Sequence, residues 1–242
     1  MREPAHAATI IRAMAGAVRI PVTVKMRAGW DERDINAPDL ARRVEDAGAA
    51  AIAVHGRTAA QSYSGESDWS LIARVAQGVS IPVFGSGDCV EPADITRRLR
   101  HEGIGGVLVG RGALRNPWIF AQVAQEAAGQ PVDPPALDAR GRFLLDYIDL
   151  LLSERVDEAV GFRHAAPGQS EAPPAPARGR ERWVINKLRA LGSWYTKGID
   201  NGSHLRVAIN GALSIAELRH LIEDFFVSRP DHAAVASSAI GA

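Results

Sequence analysis

Two patterns of hydrophobic and polar residues alternate along the first half of the chain. Short apolar runs rich in β-branched residues predict strands, and segments with apolar residues three and four positions apart predict helices. The predicted strands lie in "IPVTVKM", "AAAIAVHGR", "SIPVFGSGD" and "IGGVLVGRG" and start near residues 22, 50, 82 and 106. The predicted helices cover residues 3–18, 38–47, 69–77, 92–101 and 117–128. Because these strands are almost wholly apolar, we expect parallel strands buried on both faces.

The order of these elements predicts an α/β protein. Strand and helix alternate four times at a spacing of roughly 25 to 30 residues, which is typical of successive βα units. We therefore assign residues 1–129 to a parallel α/β domain.

The pattern changes after Gly129. A Pro-rich connector and an amphipathic helix over 138–153 occupy residues 130–161, and residues 162–180 are rich in Pro, Ala and Gly, which predicts a flexible linker. Helices are predicted over 181–197, 203–211 and 214–227, the last opened by a capping box of Ser214 and Glu217. These helices form a small all-α domain, 181–228, and residues 229–242 are expected to be a disordered tail.

Composition narrows the class of protein. The 28 basic and 28 acidic side chains balance, so overall charge indicates no polyanion partner. A single cysteine excludes an intrachain disulfide and a multi-cysteine zinc site, and it fits a reducing compartment. The sequence has neither an apolar run of roughly 18 residues nor a recognisable secretory signal. We therefore expect a cytoplasmic protein without a metal site or a membrane partner.

Ligands of parallel α/β folds bind beyond the carboxyl ends of the strands. The first two predicted strands end in "VKMRAGWD" and "VHGRT", which place Lys25, His55 and Arg57 at this edge. A lysine in an apolar strand is costly unless it is neutralised, which favours a function for Lys25 over a side chain that merely reaches solvent. His55 is equally compatible with a binding role and with a hydrogen-bonded histidine at the rim of the sheet.

The third and fourth strands end in the glycine turns "GSGD" and "VGRG". Glycines let backbone N–H groups approach a phosphate, a following helix N-terminus adds a favourable dipole, and Arg111 can add a charged fork. Each turn alone is a weak signal, but two turns on consecutive strands favour a phosphate site. The nearby "GESDW" is expected to cap a helix through Ser67 or Asp68.

Cys89 follows the "GSGD" turn and is the only cysteine of the chain. A lone cysteine in an intracellular enzyme is a candidate nucleophile or proton donor. The alternative is a small residue of a βα loop with no chemical role.

Four ordered motifs, "PVTVKMRAGWDE", "VHGRTAAQSYSGESDW", "IPVFGSGD" and "GVLVGRGALRNPWIF", together resemble the tRNA-dihydrouridine synthases, flavin enzymes with a (β/α)8 barrel. The C-terminal "KLRALGSWYTKG" and "LRVAINGALSIAELRHLIEDFF" are similar to the helical RNA-binding domain of that family. The resemblance implies that residues 1–129 are the C-terminal half of a TIM barrel, strands five to eight. It also implies that this chain is an N-terminally truncated member of the family.

The resemblance assigns roles to the strand ends. Lys25 corresponds to the lysine that contacts the flavin ring near its N1/O2 edge, where positive charge stabilises reduced flavin. His55 corresponds to a histidine lining the flavin and uracil pocket, and Arg57 stands beside it as a substrate-binding candidate.

The two glycine turns are also matched to the family. Ser86, Gly87 and Asp88 occupy the Asn-Gly-Asp turn that binds flavin, with serine in place of asparagine. Gly110 and Arg111 occupy the Gly-Arg phosphate turn. The catalytic cysteine of the family belongs to the absent half, so the resemblance implies that Cys89 is not catalytic and that this chain contains no catalytic residue.

The implied reaction reduces the C5–C6 double bond of a uridine in tRNA. FMN is first reduced by NADPH, a hydride passes from flavin N5 to C6, and a cysteine acts as a general acid toward C5. The base must leave the folded tRNA to reach the flavin, which requires an RNA-binding surface. The basic candidates for this surface are Arg180, Arg182, Lys187, Arg189 and Lys197, with Trp194 and Tyr195 among them. The alternative is an ordinary solvated helix face with a Trp–Tyr core contact.

Three hypotheses follow. The first is an FMN-dependent tRNA-dihydrouridine synthase, inactive as this chain alone, with no protein partner implied. The second is a non-catalytic remnant that binds RNA through its C-terminal helices, and the third is another flavin barrel acting on a small molecule. A half barrel exposes two strand edges, so we expect the isolated chain to be poorly soluble or to oligomerise.

Overall fold

The computed structural model describes residues 2–100, 103–154, 156–157, 163–164 and 178–228. The described residues fall into two compact units, which divide between Asp133 and Pro134. The predicted tail, 229–242, lies outside the described residues, as does most of the predicted linker, 162–180.

The first unit follows the predicted succession of strands and helices. Its elements are α1 (Pro4–Ala17), β1 (Thr23–Arg27), α2 (Ala37–Asp46), β2 (Ala51–His55), α3 (Trp69–Gln77), β3 (Val83–Ser86), α4 (Pro92–Leu99), β4 (Ile104–Leu108), α5 (Arg111–Arg115) and α6 (Ile119–Ala127). The predicted helix over 117–128 is therefore preceded by a short helix, α5, that the sequence pattern does not reveal. Asn116 separates the two, because its backbone, with φ of −142° and ψ of 90°, is not helical and ends α5.

The four strands form one parallel sheet in the order β1-β2-β3-β4. This arrangement is an α/β fold that matches part of a TIM barrel. Within the described residues, β1 and β4 each pair on one side only, as predicted for the two edges.

One face of the sheet carries the helices. Met26, Ile52, Val54 and Val83 point to that face and join the apolar residues of the helices in one buried core. The core residues contributed by the helices are Leu40, Val44, Trp69, Ile72, Val75, Ile95 and Ile119.

The opposite face of the sheet is only partly covered, which corrects the prediction that both faces are buried. Successive residues of a strand point to opposite faces, and the row Lys25, Ala53, Phe84 and Gly106 runs across this second face. Each of these residues is exposed or half-buried. The apolar composition of the strands suggested two buried faces. Part of that composition is small residues such as Ala53 and Gly106, which lie on the open face.

The second unit contains α7 (Leu137–Ser153), β5 (Val156–Asp157), β6 (Arg163–His164), α8 (Arg178–Tyr195), α9 (Gly202–Gly211) and α10 (Ile215–Phe226). The strands β5 and β6 pair antiparallel and lie in the predicted connector and linker, where no strand was expected. Helix α8 begins at Arg178 and so takes in the end of the predicted linker.

The helices of the second unit pack around buried Leu144, Ile148, Leu188 and Leu218. At the start of α10, Ser214 caps the helix by accepting a hydrogen bond from the N–H of Glu217, as predicted. The Glu217 carboxylate reaches back to the N–H of Leu213 instead of that of Ser214.

Candidate functional site

The carboxyl ends of the four strands align in one row. Arg27 pairs with His55, His55 with Ser86, and Ser86 with Leu108. A shift in register between β3 and β4, after Val83, brings Ser86 opposite Leu108. The sheet therefore places the ends of "VKMR", "VH", "GS" and "VL" side by side, as a parallel arrangement requires.

A cleft of about 180 Å³ lies at this edge of the sheet. It brings together all seven residues predicted to bind a cofactor, whereas Arg57 is not among its lining residues. The lining residues are Lys25, His55, Tyr63, Ser86, Gly87, Asp88, Cys89, Val90, Leu108, Gly110, Arg111 and Gly112.

The turn Ser86–Gly87–Asp88 is held from behind by the segment that starts α3. Ser67 Oγ donates to the Ser86 carbonyl at 3.2 Å, and Trp69 Nε1 donates to the Gly87 carbonyl at 3.0 Å. In a trans peptide the C=O and the following N–H point in opposite directions. The N–H groups of Gly87 and Asp88 therefore point away from this segment, which leaves them able to bind an anion as a backbone nest.

The backbone of this turn is unusual. Gly87 has φ of 127° and Asp88 has φ of 52°, in the left-handed region that is uncommon for a residue with a side chain. A Cβ at Gly87 would lie 2.2 Å from Ser67 Oγ, so only glycine fits there.

The carboxylate of Asp88 is fully engaged. Arg57 Nη2 donates to both carboxylate oxygens at 2.7 and 2.8 Å, and the Ser67 N–H donates at 2.7 Å. Burial alone would raise the pKa of Asp88, but these hydrogen bonds and the charges of Arg57 and Arg111 outweigh it and lower the pKa. Asp88 is thus an ionised link between segments of the chain.

The histidine at the end of β2 is buried among cations. Burial lowers the pKa of His55 first, and the charges of Arg27, Lys25 and Arg57 lower it further, to about 4, against a smaller opposing effect of Asp88. His55 is therefore a neutral imidazole at neutral pH, able to donate one hydrogen bond and accept another.

The cleft also carries exposed positive charge. Lys25 is exposed and lines the cleft, and Arg111 keeps about half of its side chain exposed, 4.0 Å from Asp88. The Arg111 guanidinium lies 4.7 Å from the ring centroid of Tyr63, a cation–π contact. The helix that follows, α5, has only five residues, so the expected contribution of a helix dipole to anion binding is small.

Cys89 lines the cleft but is almost wholly buried, with its thiol donating weakly to the Gly87 carbonyl at 3.4 Å. Burial raises the pKa of the Cys89 thiol to about 11, so it carries almost no thiolate at neutral pH. This environment is the opposite of the one that activates a nucleophilic cysteine.

Arg57 does not occupy the position expected of a substrate-binding residue. Its side chain is 3% exposed, and it lies behind the Ser86–Gly87–Asp88 turn. Its Nε and Nη2 donate to the carbonyls of Ser64 and Gly65, in addition to Asp88.

The basic candidates of the second unit divide into exposed and engaged residues. Arg182, Lys187 and Lys197 are exposed, with the Lys187 ammonium 5.5 Å from the Trp183 ring. Arg189 is half-buried and donates to the carbonyl of Ala212 at the end of α9, and the buried Arg180 donates to the carbonyl of Leu152. These two arginines connect elements of the unit.

The two aromatic candidates near the end of α8 do not form an exposed surface on which RNA bases could stack. Tyr195 is buried and stacks on Phe143 with ring centroids 5.6 Å apart, and Trp194 is half-buried. A core contact is therefore the role of Tyr195 in this unit.

Comparison with known proteins identifies the family. The sequence model of the family described as "Dihydrouridine synthase (Dus)" matches residues 1–168. The chain belongs to the dihydrouridine synthase family. It is 44% identical over 155 residues to a "Probable tRNA-dihydrouridine synthase" of Rhodobacter capsulatus, covering 63% of this chain and 48% of that protein.

Two further relatives extend the match over most of the chain. A "Probable tRNA-dihydrouridine synthase" of Rickettsia conorii is 32% identical over 94% of this chain and 62% of its own length. A "tRNA-dihydrouridine synthase B" of Xanthomonas axonopodis pv. citri is 33% identical over 93% of this chain and 61% of its own length. The chain thus spans between about half and less than two thirds of the length of these curated relatives.

Several parts of the site in this dihydrouridine synthase-family chain escaped the sequence analysis. Tyr63, Ser67 and Trp69 each contact a predicted site residue or its turn. All three belong to the quoted motif "VHGRTAAQSYSGESDW", so the motif was the available signal, although nothing in it reveals the partners.

No helix described here is long and apolar enough to span a bilayer. In the same residues, no group of three or more His, Cys, Asp or Glu side chains could hold a metal ion.

Proposed function

We propose that this chain is the flavin-binding part of an FMN-dependent tRNA-dihydrouridine synthase that uses NADPH to reduce the C5–C6 double bond of a uridine in tRNA. One observation carries the proposal: in a member of this family, the cleft gathers all seven cofactor candidates at the carboxyl edge of a parallel sheet. The names of the relatives support tRNA as the substrate.

The residues of the cleft fit a flavin mononucleotide. The backbone N–H groups of the Ser86–Gly87–Asp88 turn and the guanidinium of Arg111 are donors suited to a phosphate. Lys25 supplies a cation for the electron-rich edge of the flavin ring. The cleft, at about 180 Å³, is smaller than the roughly 300–1,000 Å³ of ligand pockets and matches one part of such a ligand.

Each residue then has a defined task. The turn and Arg111 bind and orient the phosphate, Lys25 holds negative charge near the ring, and neutral His55 offers a hydrogen-bond donor or acceptor inside the cleft. The bound flavin would supply the hydride for the uridine.

The exposed basic residues of α8 and the segment after it, Arg182, Lys187 and Lys197, are proposed to contact tRNA phosphates. Such contacts are largely independent of sequence and sensitive to salt. Because tRNA is the proposed substrate, we expect the protein to act in the cytoplasm.

A second candidate function is RNA binding without catalysis by this 242-residue chain. The observation that favours it is Cys89, the only thiol of the sequence, which is buried with a raised pKa and is a poor proton donor toward a uridine. In this case the chain would bind tRNA through its C-terminal helices, without turnover.

Titration of the purified chain with FMN and with riboflavin, followed by flavin fluorescence, tests the flavin site. We expect FMN to bind more tightly than riboflavin, and Arg111→Met to abolish that preference while leaving riboflavin binding unchanged. Failure of the wild-type chain to bind FMN would overturn the proposal. Filter binding of a tRNA transcript, measured beside the FMN titration, separates the two functions, because a chain that only binds RNA retains the transcript without binding FMN.

A further inference from the structure

Arg57 joins three segments of the chain behind the cleft. It lies two residues after β2, it bonds to the carbonyls of Ser64 and Gly65 in the loop before α3, and its Nη2 contacts both oxygens of Asp88. With a side chain that is 3% exposed, the guanidinium is shielded from solvent and its ion pair is screened little by salt.

Asp88 depends on this partner for its conformation. Its φ of 52° lies in the left-handed region, which is uncommon for a residue with a Cβ. Its side chain bonds to Arg57 and Ser67, with Arg111 at 4.0 Å. Without Arg57, a carboxylate that is two thirds buried loses its main charge partner, which is strongly unfavourable.

The same turn lines the cleft, and its N–H groups point away from the segment that starts α3. The position of these groups is set by Ser67 and Trp69 through the carbonyls and by Arg57 through the carboxylate of Asp88. Arg57 also lies 3.5 Å from His55 Nε2, so a second cleft residue contacts it.

A direct contact between Arg57 and a ligand is the competing interpretation. It does not fit the geometry, because Arg57 is absent from the lining of the cleft and its Nε and Nη2 already donate to protein oxygens.

We propose that Arg57 is a positioning residue for phosphate binding: through Asp88 it fixes the Ser86–Gly87–Asp88 turn in the conformation that presents backbone N–H groups to the phosphate of the flavin. The proposal rests on the proposed function for the identity of the ligand. The effect on the turn itself does not depend on any ligand.

A ligand-free readout is available at Trp69, whose indole N–H bonds to the Gly87 carbonyl. The ¹H–¹⁵N signal of this indole, assigned among five tryptophans with Trp69→Phe, reports the position of the turn. We expect Arg57→Met and Asp88→Asn to move this signal. Val44→Ala, a core change in the same unit away from the turn, is the control for general destabilisation and leaves the signal in place.

The second readout is a double-mutant cycle on FMN affinity with Arg57→Met, Asp88→Asn and the double variant. Because a hydrogen-bonded charge pair is broken in each, we expect every one to weaken FMN binding by about tenfold or more. The double variant should be no weaker than the worse single variant, since both act through one interaction. Riboflavin binding, which lacks the phosphate, should be little affected.

Additive losses in the cycle would overturn the proposal, because they indicate a contact of Arg57 with the ligand itself. An unmoved Trp69 signal in Arg57→Met, or an equal loss of FMN affinity in Val44→Ala, would overturn it as well. If Arg57→Met does not fold, Arg57→Lys replaces it in both experiments. Lysine retains a buried cation but lacks the planar guanidinium that bonds to two segments at once, so the same outcomes apply. Failure of the wild-type chain to bind FMN would count against the proposed function alone, while the Trp69 signal still decides the role of Arg57.

Discussion

The indole Nε1 of Trp69 donates a 3.0 Å hydrogen bond to the carbonyl oxygen of Gly87. The first residue of α3 is thereby connected to the turn after β3, which lines the cleft. This contact holds the turn in addition to the conformational freedom of the glycine itself.

Replacing Gly87 with alanine should disrupt the turn. The new Cβ would lie 2.2 Å from Ser67 Oγ at a φ of 127°, a conformation that alone costs about 1–3 kcal/mol outside glycine. We expect Gly87→Ala to lower the free energy of unfolding by at least this amount in urea denaturation.

Gly16→Ala is the control for this prediction. Gly16 lies inside α1, and its Cβ would meet no atom within 4 Å. We expect its free energy of unfolding to be no lower than that of the wild type, because alanine favours a helix over glycine. Equal destabilisation by the two substitutions would contradict the geometry of the turn.

The lowered pKa of His55 predicts a dependence of stability on pH. Between the ordinary pKa of 6.5 and the folded value of about 4, the unfolded chain binds a proton at His55 that the folded chain does not. The free energy of unfolding therefore falls as the pH drops through this window. Urea denaturation at several pH values gives the slope of the free energy of unfolding against pH. We expect this slope to be shallower for His55→Gln than for the wild type. Identical slopes would refute a buried, neutral His55.

The burial of Cys89 predicts an unreactive thiol. Because burial raises the pKa of this thiol to about 11, we expect iodoacetamide to modify it far more slowly in the folded chain than in urea at pH 8. Cys89→Ala should leave FMN affinity unchanged. A thiol that reacts equally fast in both states, or loss of flavin binding in Cys89→Ala, would restore a chemical role for this residue.

The basic residues of the second unit are either exposed or bonded to other elements, and substitutions in the two groups should have different effects. Lys187→Glu and Lys197→Glu change exposed residues, so each should weaken tRNA binding and reduce the salt slope by roughly one unit per lost phosphate contact. Arg12→Glu, on an exposed position of α1, is the charge-matched control. Filter-binding assays at several salt concentrations measure both quantities.

Arg189→Met should instead destabilise the second unit, since the guanidinium bonds to the carbonyl of Ala212 that ends α9. Its effect is expected in thermal unfolding. A loss of tRNA affinity without loss of stability would return Arg189 to the RNA-binding surface.

The sheet edges predict self-association of the isolated chain. In the part of the chain described here, β1 and β4 each lack a second neighbour, and Ile20, just before β1, is 73% exposed. We expect light scattering to detect association that grows with concentration and decreases in Ile20→Lys. Val207→Lys, at an equally exposed residue of α9, should have no such effect. A monomer at all concentrations would rule out association through these edges.

The sequence by itself determined the elements and the residues at their ends. Periodicity and turn residues placed the strands and most helices within a few residues, because both signals are local. Since parallel strands bring their carboxyl ends to one edge, knowing those ends was enough to collect Lys25, His55, Ser86 and Arg111 at one cleft.

Only the tertiary structure decided what each of these side chains does. Arg57 and Asp88 lie 31 residues apart and their pairing is invisible in the sequence, as is the contact of Arg189 with the end of α9. The open face of the sheet likewise followed from which elements pack on it, and composition misled there. A pattern along the chain reports local preference, whereas burial and partners are set by contacts between distant segments, which only the folded arrangement specifies.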